Sequence, residues 1–219
     1  MLEYQEVKIR WLGHDTFEIS NGKKIVIDPY KLSKEHRADI LLITHEHFDH
    51  LSREDIEKVR DENTVVVAPK QCEQDLKSMN FKEVIIVKPN DKVQVEGISI
   101  EAVPAYNINK INPSTNKPFH PKEDGKVGYI VTINGVRIYH AGDTDAIEEM
   151  KSIDTDIALL PVSGTYVMTA EEAAEAVKMI KPKLAIPMHY GAIVGSIEDA
   201  NKFKQLVSEC EVKILEQET

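Results

Sequence analysis

The sequence predicts an α/β protein that contains two β-sheets. Strand-like and helix-like segments alternate in both halves of the 219-residue chain. No linker rich in serine and glycine separates the two halves, and a chain of this length suits one domain or at most two small ones. We therefore expect a single domain over residues 1–219.

The first half is expected to be rich in strands. The almost wholly apolar run Ala38–Thr44 is typical of a strand buried on both faces, and Asn21-Gly22 predicts a hairpin turn. A helix should begin at Ser52, which can cap its amino end, and another is expected between Pro69 and Met79. The other segments with a strand pattern are Val7–Leu12, Thr16–Ile19, Lys24–Asp28, Thr64–Ala68, Val84–Val87, Lys92–Val95 and Ile98–Val103.

The second half repeats this alternation. Residues Thr169–Glu172 form a capping-box pattern, which predicts a helix that must end before Pro182. A last helix is expected from Ser196 towards Val207. The predicted strands are Tyr129–Ile133, Val136–His140, Asp156–Leu160, Leu184–Pro187 and Val212–Leu215.

Charge and composition exclude several classes of protein. The 27 Lys and Arg against 37 Asp and Glu give a net charge of −10, which disfavours nucleic-acid binding through a broad basic face. No apolar run approaches the ~20 residues that span a bilayer. The two cysteines, Cys72 and Cys210, are far apart and are expected to be buried and unpaired. We therefore expect a soluble protein of the reducing cytoplasm.

The strongest chemical signal is the segment Thr44–His50, which reads THEHFDH. Three imidazoles and an aspartate lie within six residues, directly after the buried strand. Side chains alternate in extended backbone, so His45 and His47 point to the same side. Asp49 and His50 can turn over the same place from the following loop. Metal binding explains this cluster better than scattered surface or core histidines do.

The cluster resembles the metallo-β-lactamase superfamily, whose H-x-H-x-D-H motif it matches without gaps. Further matches follow in the family's order at Trp11–His14 (WLGH), Ile27–Pro29 (IDP), Tyr139–Thr144 (YHAGDT) and Ile186–Gly191 (IPMHYG). The chain is most similar to the branch of small stand-alone hydrolases that resemble ascorbate-6-phosphate lactonase and N-acylphosphatidylethanolamine phospholipase D. The resemblance implies a four-layer αββα sandwich with a metal site at one edge, between the two sheets.

The resemblance also implies two divalent transition-metal ions. Zn²⁺ is the first choice, and Mn²⁺ or Ni²⁺ are alternatives. The ligands that it assigns are His45 and His47 to the first ion, Asp49, His50 and His189 to the second, and Asp143 to both. Where relatives often carry a third histidine for the first ion, this chain has Asn107. His120 is the predicted replacement, and an exposed loop histidine is the alternative.

Several other residues are candidates for supporting roles. His14 either lines the pocket or is a packed histidine. Asp28 either accepts a hydrogen bond from a ligand imidazole or caps the turn before Pro29, and Tyr190 is a pocket candidate beside His189. On a strand that runs through Asp143, His140 would face away from that residue and be structural. His36, beside Arg37, is expected at the surface.

These residues predict a metal-dependent hydrolase of a small-molecule substrate. A hydroxide held by two ions would cleave an ester, lactone, thioester or phosphodiester, and Asp49 would orient it or accept its proton. A flavodiiron-like oxidoreductase is one alternative, but that family carries Glu at the position of His47 and an added flavodoxin domain. A non-catalytic metal-binding scaffold is the other, and its expected signature is a lost ligand.

The segment Pro104–Val127 has no periodic pattern and carries four lysines against Glu123 and Asp124, a local charge of +2. Those lysines are Lys110, Lys117, Lys122 and Lys126. A long irregular loop in a compact domain is usually functional. The segment is therefore predicted to be a mobile basic lid over an anionic substrate, and a solvated surface loop is the alternative. The oligomeric state cannot be read from the sequence.

Overall fold

Two sheets of seven strands each lie at the centre of the protein, for which a computed structural model describes residues 1–218. The first sheet follows chain order. Its strands are β1 (Leu2–Tyr4), β2 (Val7–Gly13), β3 (Thr16–Asn21), β4 (Lys23–Ile27), β5 (Ile40–Leu42), β6 (Val65–Pro69) and β7 (Glu83–Val87). Strands β1 to β4 are antiparallel, and β4 to β7 are parallel.

The second sheet also combines parallel and antiparallel strands, but it does not follow chain order. Its strands, from one edge to the other, are β16 (Glu211–Val212), β15 (Leu184–Met188), β14 (Ile157–Pro161), β13 (Val136–His140), β12 (Val127–Ile133), β9 (Ile98–Pro104) and β8 (Lys92–Val95). The run β13–β14–β15–β16 is parallel and the remainder is antiparallel. A separate hairpin consists of β10 (Ile111–Asn112) and β11 (Lys117–Pro118).

Helices cover the outer faces of both sheets. The α-helices are α1 (Arg53–Val59), α2 (Glu73–Lys77), α3 (Ala170–Ile180) and α4 (Ile197–Leu206), and short 3₁₀ helices span Lys70–Cys72, Lys122–Asp124 and Glu148–Ser152. Thr169 caps α3 through the predicted capping box with Glu172. Ser52 accepts a hydrogen bond from the Asp55 N–H at the start of α1.

Two apolar cores define four layers. The larger core joins inward side chains of both sheets, such as Phe17 and Tyr129, and continues under α3. The smaller core lies between the outer face of the first sheet and helices α1 and α2, with Leu41, Ile56 and Leu76 among its members. Side chains alternate along each strand, so one face of a sheet can pack on the other sheet and the opposite face on helices. The two cores show this arrangement, and the predicted αββα sandwich is confirmed.

Local details differ from the predictions. The strand expected over Ala38–Thr44 extends only over Ile40–Leu42. His36 is not a surface residue: it is buried, and its Nδ1 lies 3.0 Å from Glu18 Oε2. Cys72 is buried as expected, but Cys210 is only partly buried, and both thiols are free. No helix within residues 1–218 has the length and apolar character needed to cross a bilayer.

Candidate metal centre

The candidate site lies where parallel strands of both sheets end. Strands β4 and β5 run parallel in the first sheet, and β13, β14 and β15 run parallel in the second. Carboxyl ends of parallel strands share one edge, where open α/β sheets bind ligands. The polar residues that follow these ends are Asp28 after β4, Thr44–His50 after β5, Asp143 after β13, Ser163 after β14 and His189 after β15.

A glycine turns Asp143 into this edge. Strand β13 ends at His140, as predicted, so the alternation of side chains that would place His140 and Asp143 on opposite faces does not extend to Asp143. Gly142 has a left-handed backbone with φ of +62°, and an added Cβ would lie 3.0 Å from the Val127 carbonyl oxygen. His140 is nevertheless outside both groups of potential ligands, because its Nε2–H donates to the Asp15 carbonyl at 2.8 Å.

The first group of potential ligands contains His45, His47, His120 and Asp143, whose donor atoms lie within 4.8 Å of one another. His120 Nε2 lies 3.2 Å from His47 Nδ1 and 3.3 Å from Asp143 Oδ2. The same Oδ2 is 3.9 Å from His45 Nε2. Three imidazoles and one carboxylate oxygen thus converge. His120 is the third histidine of this group, beside His45 and His47, as was predicted for it.

Asn107, the residue at the position where relatives often carry histidine, holds His120 in place. Its Oδ1 lies 2.8 Å from His120 Nδ1 and also accepts the His120 backbone N–H at 3.0 Å. Its Nδ2–H₂ donates to the Tyr166 carbonyl at 2.9 Å. Because Oδ1 can only accept, the proton of His120 is on Nδ1, and the lone pair on Nε2 is free to bind a metal. Sequence reasoning missed this role.

The second group contains His14, Asp15, His50 and His189, also within 4.8 Å of one another. Asp143 Oδ1 lies 3.3 Å from His50 Nε2 and 3.4 Å from His189 Nε2. The two oxygens of Asp143 therefore face different groups. His14 and Asp15 were not predicted as members, since neither belongs to the H-x-H-x-D-H segment or to the later matches that supply ligands.

The imidazoles of both groups are oriented through their far nitrogens. His50 Nδ1 lies 2.8 Å from Asp28 Oδ2, His189 Nδ1 lies 2.9 Å from Ser163 Oγ, and His45 Nδ1 lies 3.0 Å from Thr44 Oγ1. The Nε2 atoms of these three histidines are buried, and within the described chain they have no hydrogen-bond partner. Buried polar atoms are rarely left unpaired. This arrangement fits metal ions held by oriented imidazoles.

Electrostatics favour the same use. Burial lowers the pKa of His120 to about 4, although the Asp143 carboxylate opposes that shift, so its imidazole is neutral at neutral pH. Burial opposes ionisation of Asp143, yet the imidazoles of His189 and His50 hold its pKa well below the usual range. Burial would also lower the pKa of His189, but Asp143 and Asp15 raise it to about 9. The Asp143 carboxylate is thus the charge that most opposes the effect of burial on the neighbouring imidazoles of both groups.

Asp49 lies outside both groups of potential ligands but next to the second: its Oδ2 is 3.0 Å from His14 Nε2 and 3.7 Å from His50 Nε2, and its assignment as a ligand of the second ion stays a prediction. Tyr190 is buried against Trp11, with ring centroids 4.8 Å apart, and does not line the cleft over Asp143. Asp28, in contrast, makes the hydrogen bond to an imidazole that was proposed for it.

A cleft of about 300 Å³ opens over the first group, with Asp49 on its wall. Its walls are His47, Phe48, Asp49, Phe119, His120, Asp143, Tyr166 and Ile193, so the surfaces away from the donors are mostly apolar. The lysines of segment 104–127 do not line it. Lys110 pairs with Glu172 at 2.6 Å, Lys122 with Glu149 at 2.7 Å, and Lys126 with Glu46. The basic charge expected over the substrate is therefore not at the cleft wall, and the mobility expected of the segment stays a prediction.

Comparisons with known proteins agree with this geometry. The fold and the two groups of donors define a protein of the metallo-β-lactamase fold, and a family profile described as "Beta-lactamase superfamily domain" matches residues 8–189. A UPF0173 metal-dependent hydrolase of Thermococcus onnurineus is 34% identical over 229 residues, covering 95% of this chain and 96% of the relative. The chain therefore belongs to the β-lactamase superfamily and, within it, to the UPF0173 metal-dependent hydrolases.

Solved structures agree as well. A Parabacteroides distasonis protein assigned to the metal-dependent hydrolases is 33% identical, with a TM-score of 0.82 over 97% of this chain and 94% of that one. Igni18, a metallo hydrolase of Ignicoccus hospitalis, is 27% identical, with a TM-score of 0.78 over 97% of this chain and 96% of that one. The protein is thus a metal-dependent hydrolase with two possible metal-binding sites.

Proposed function

We propose that the protein is a dinuclear metal-dependent hydrolase that cleaves an ester, lactone, thioester or phosphodiester bond of a small molecule. The observation that carries the proposal is the position of Asp143: Oδ2 faces His45 and His120, while Oδ1 faces His50 and His189. A carboxylate shared in this way suits two neighbouring cations. Zn²⁺ is the proposed ion, with Mn²⁺ or Ni²⁺ as alternatives.

The residues that would hold the two ions follow from the two groups and from the H-x-H-x-D-H motif. His45, His47 and His120 would hold the first ion, Asp49, His50 and His189 the second, and Asp143 both. When bound, the ions would supply Lewis acidity and lower the pKa of water enough to make it a nucleophile at neutral pH. Among residues 1–218, no serine or cysteine side chain lines the cleft, so the proposal includes no covalent enzyme intermediate.

Asp49 is proposed to handle the proton. It is on the cleft wall, it is 9% exposed, and His14 Nε2 lies 3.0 Å from its Oδ2. A carboxylate held at the boundary between the donors and the cleft can orient an attacking water and accept its proton. His14 positions Asp49 in this proposal, and its buried ring is fixed by packing against His189.

The walls of the cleft indicate the chemical character of the part of the substrate that is not cleaved. Phe119 and Tyr166 stack edge to face at 4.8 Å, and Phe48 and Ile193 line the other side. With three of the segment's four lysines paired to carboxylates, these walls favour a neutral or apolar acyl, alkyl or aryl group over a strongly anionic one. An oxidoreductase of the flavodiiron type fits less well. That family carries Glu at the position of His47, whereas the first group here has an imidazole at that position.

The test combines metal analysis with a substrate screen. The protein is stripped with a chelator, reconstituted with Zn²⁺, Mn²⁺ or Ni²⁺, and assayed on generic esters, lactones, thioesters and phosphodiesters. We expect about two ions per chain and activity that returns with metal. Failure to bind a transition metal after reconstitution would refute the dinuclear proposal.

We also propose that the chain acts as one domain in the cytoplasm, where its two free thiols remain reduced.

A further inference from the structure

One carboxylate of the second group, that of Asp15, has no hydrogen-bond partner in the described part of the chain. Asp15 lies in the turn between β2 and β3, and its side chain is 0% exposed. Neither Oδ1 nor Oδ2 has a hydrogen-bond partner in residues 1–218. The backbone of Asp15 is held in place, because its carbonyl accepts the Nε2–H of His140. A buried carboxylate is costly unless it is paired with a cation or a donor.

The atoms around Asp15 are unpaired too. His50 Nε2 lies 3.7 Å from Asp15 Oδ2, which is too far for a hydrogen bond. His14 Nδ1, His50 Nε2 and His189 Nε2 are all buried and have no hydrogen-bond partner in the described residues, although Asp143 Oδ1 lies 3.3 Å from His50 Nε2 and 3.4 Å from His189 Nε2. Potential ligand atoms of four residues therefore lie within 4.8 Å of one another, and Asp15 is hydrogen-bonded to none of them. A metal ion among them would satisfy the carboxylate and the imidazoles together.

We propose that Asp15 is a ligand of the second metal ion. The proposal rests on the proposed function, because it takes the second group to be a metal site. The motif that the chain shares with the metallo-β-lactamase superfamily assigns this site the carboxylates of Asp49 and Asp143 and none from the turn after β2. Asp49 Oδ2 is already hydrogen-bonded with His14, whereas neither oxygen of Asp15 has a hydrogen-bond partner within residues 1–218.

The assignment has a consequence for metal choice. The first site has three imidazoles and one shared carboxylate oxygen. The second site gains a carboxylate of its own, with the other oxygen of Asp143 nearby and Asp49 at 3.7 Å from His50. Carboxylate oxygens suit harder ions such as Mn²⁺, and imidazoles suit Zn²⁺. The second site should therefore prefer Zn²⁺ over Mn²⁺ by a smaller factor than the first site does.

The experiment compares Asp15→Asn with wild type and with Asp154→Asn, a control in which the aspartate side chain is 92% exposed. Metal-free proteins are titrated with Co²⁺ and with Mn²⁺, and bound metal is counted by elemental analysis and by electron paramagnetic resonance of Mn²⁺. In Asp15→Asn we expect one ion at wild-type affinity and the second weakened more than ~100-fold, beyond what residues that only orient a ligand cause. Two ions at wild-type affinity would overturn the proposal.

A second variant keeps the test decisive if Asp15→Asn fails to fold. Asp15→Cys has a similar size and, as a ligand, would give Co²⁺ a thiolate charge-transfer band in the near ultraviolet that wild type lacks. Absence of that band in a folded, Co²⁺-loaded Asp15→Cys protein would overturn the assignment. If wild type binds two ions and Asp15→Asn loses one, but wild type hydrolyses none of the screened substrates, the proposed function fails and Asp15 remains a ligand.

Discussion

Asn107→Ala tests whether His120 belongs to the site. The amide oxygen of Asn107 is hydrogen-bonded to His120 twice, at 2.8 Å to Nδ1 and at 3.0 Å to the backbone N–H. Both residues are buried, with 3% and 1% exposure. Alanine would leave two buried donors unpaired, at about 1–3 kcal/mol each. We expect the free energy of unfolding to fall by roughly 2–4 kcal/mol because some relaxation around the smaller side chain offsets the loss.

The same substitution should weaken metal binding. Without Oδ1, the His120 ring can rotate or change tautomer, and the lone pair on Nε2 is no longer directed at the first site. Loss of a residue that orients a metal-binding histidine typically costs ~10–100-fold in metal affinity, which is about 1.4–2.8 kcal/mol because each factor of ten corresponds to 1.4 kcal/mol. Competition against a chromophoric chelator measures this affinity directly, and thermal unfolding measures stability in parallel.

Two further variants separate orientation from general damage. Asn107→Asp keeps an acceptor for His120 but places a charge beside Asp145, whose Oδ1 is 3.3 Å from Asn107 Nδ2. It should lose stability while keeping most of the metal affinity. Asn109→Ala changes an exposed asparagine of the same segment and should alter neither quantity. Wild-type affinity for both ions in Asn107→Ala would refute the assignment of His120 to the first site.

Three other substitutions test the remaining roles. Asp143→Ala should lose both ions and activity together, measured by elemental analysis and ester assay, whereas exposed Asp154→Ala should lose neither. Asp49→Asn should lower kcat by ~2 orders of magnitude with a smaller loss of metal; the reverse order would contradict its role. Burial opposes ionisation of Glu18, but a hydrogen bond with His36 helps lower its pKa below 4.5. Its contribution to stability is complete above about pH 4.5 and is lost as pH falls through the lower folded-state pKa, so urea unfolding of Glu18→Gln should vary less with acid pH than wild type.

Much of the fold was predictable because it depends on periodic patterns. The apolar run that becomes β5 and the capping box at Thr169 act locally, and each appears where the sequence indicated. The THEHFDH segment was predictable for a similar reason, since its polar residues follow directly after a buried strand. Spacing along the chain was sufficient there because the ligands are neighbours in sequence.

The rest of the site depends on contacts between distant segments. In the sequence, Asp15 is one aspartate in a turn. Its role depends on the approach of His50, which is 35 positions later in the chain, and its lack of a hydrogen-bond partner within residues 1–218 is visible only in the folded protein. Asn107 supports His120 across 13 residues of irregular chain, where no periodicity connects the two. His36 was expected at the surface because its neighbours are charged, but Glu18 on β3 gives it a buried partner.

Backbone conformation explains how the strand ends direct their side chains into one place. Three non-glycine residues at the site have left-handed backbones, with φ of +51° at His14, +45° at Asp28 and +60° at His189. Each such residue costs about 1–3 kcal/mol unless the surrounding structure compensates. The His189 N–H donates to the His14 carbonyl, and the Asp28 carboxylate accepts the Thr44 N–H, so hydrogen bonds between strand ends involve all three of these residues. The paired sheets thus stabilise a strained edge in which imidazoles and carboxylates of both groups face one another.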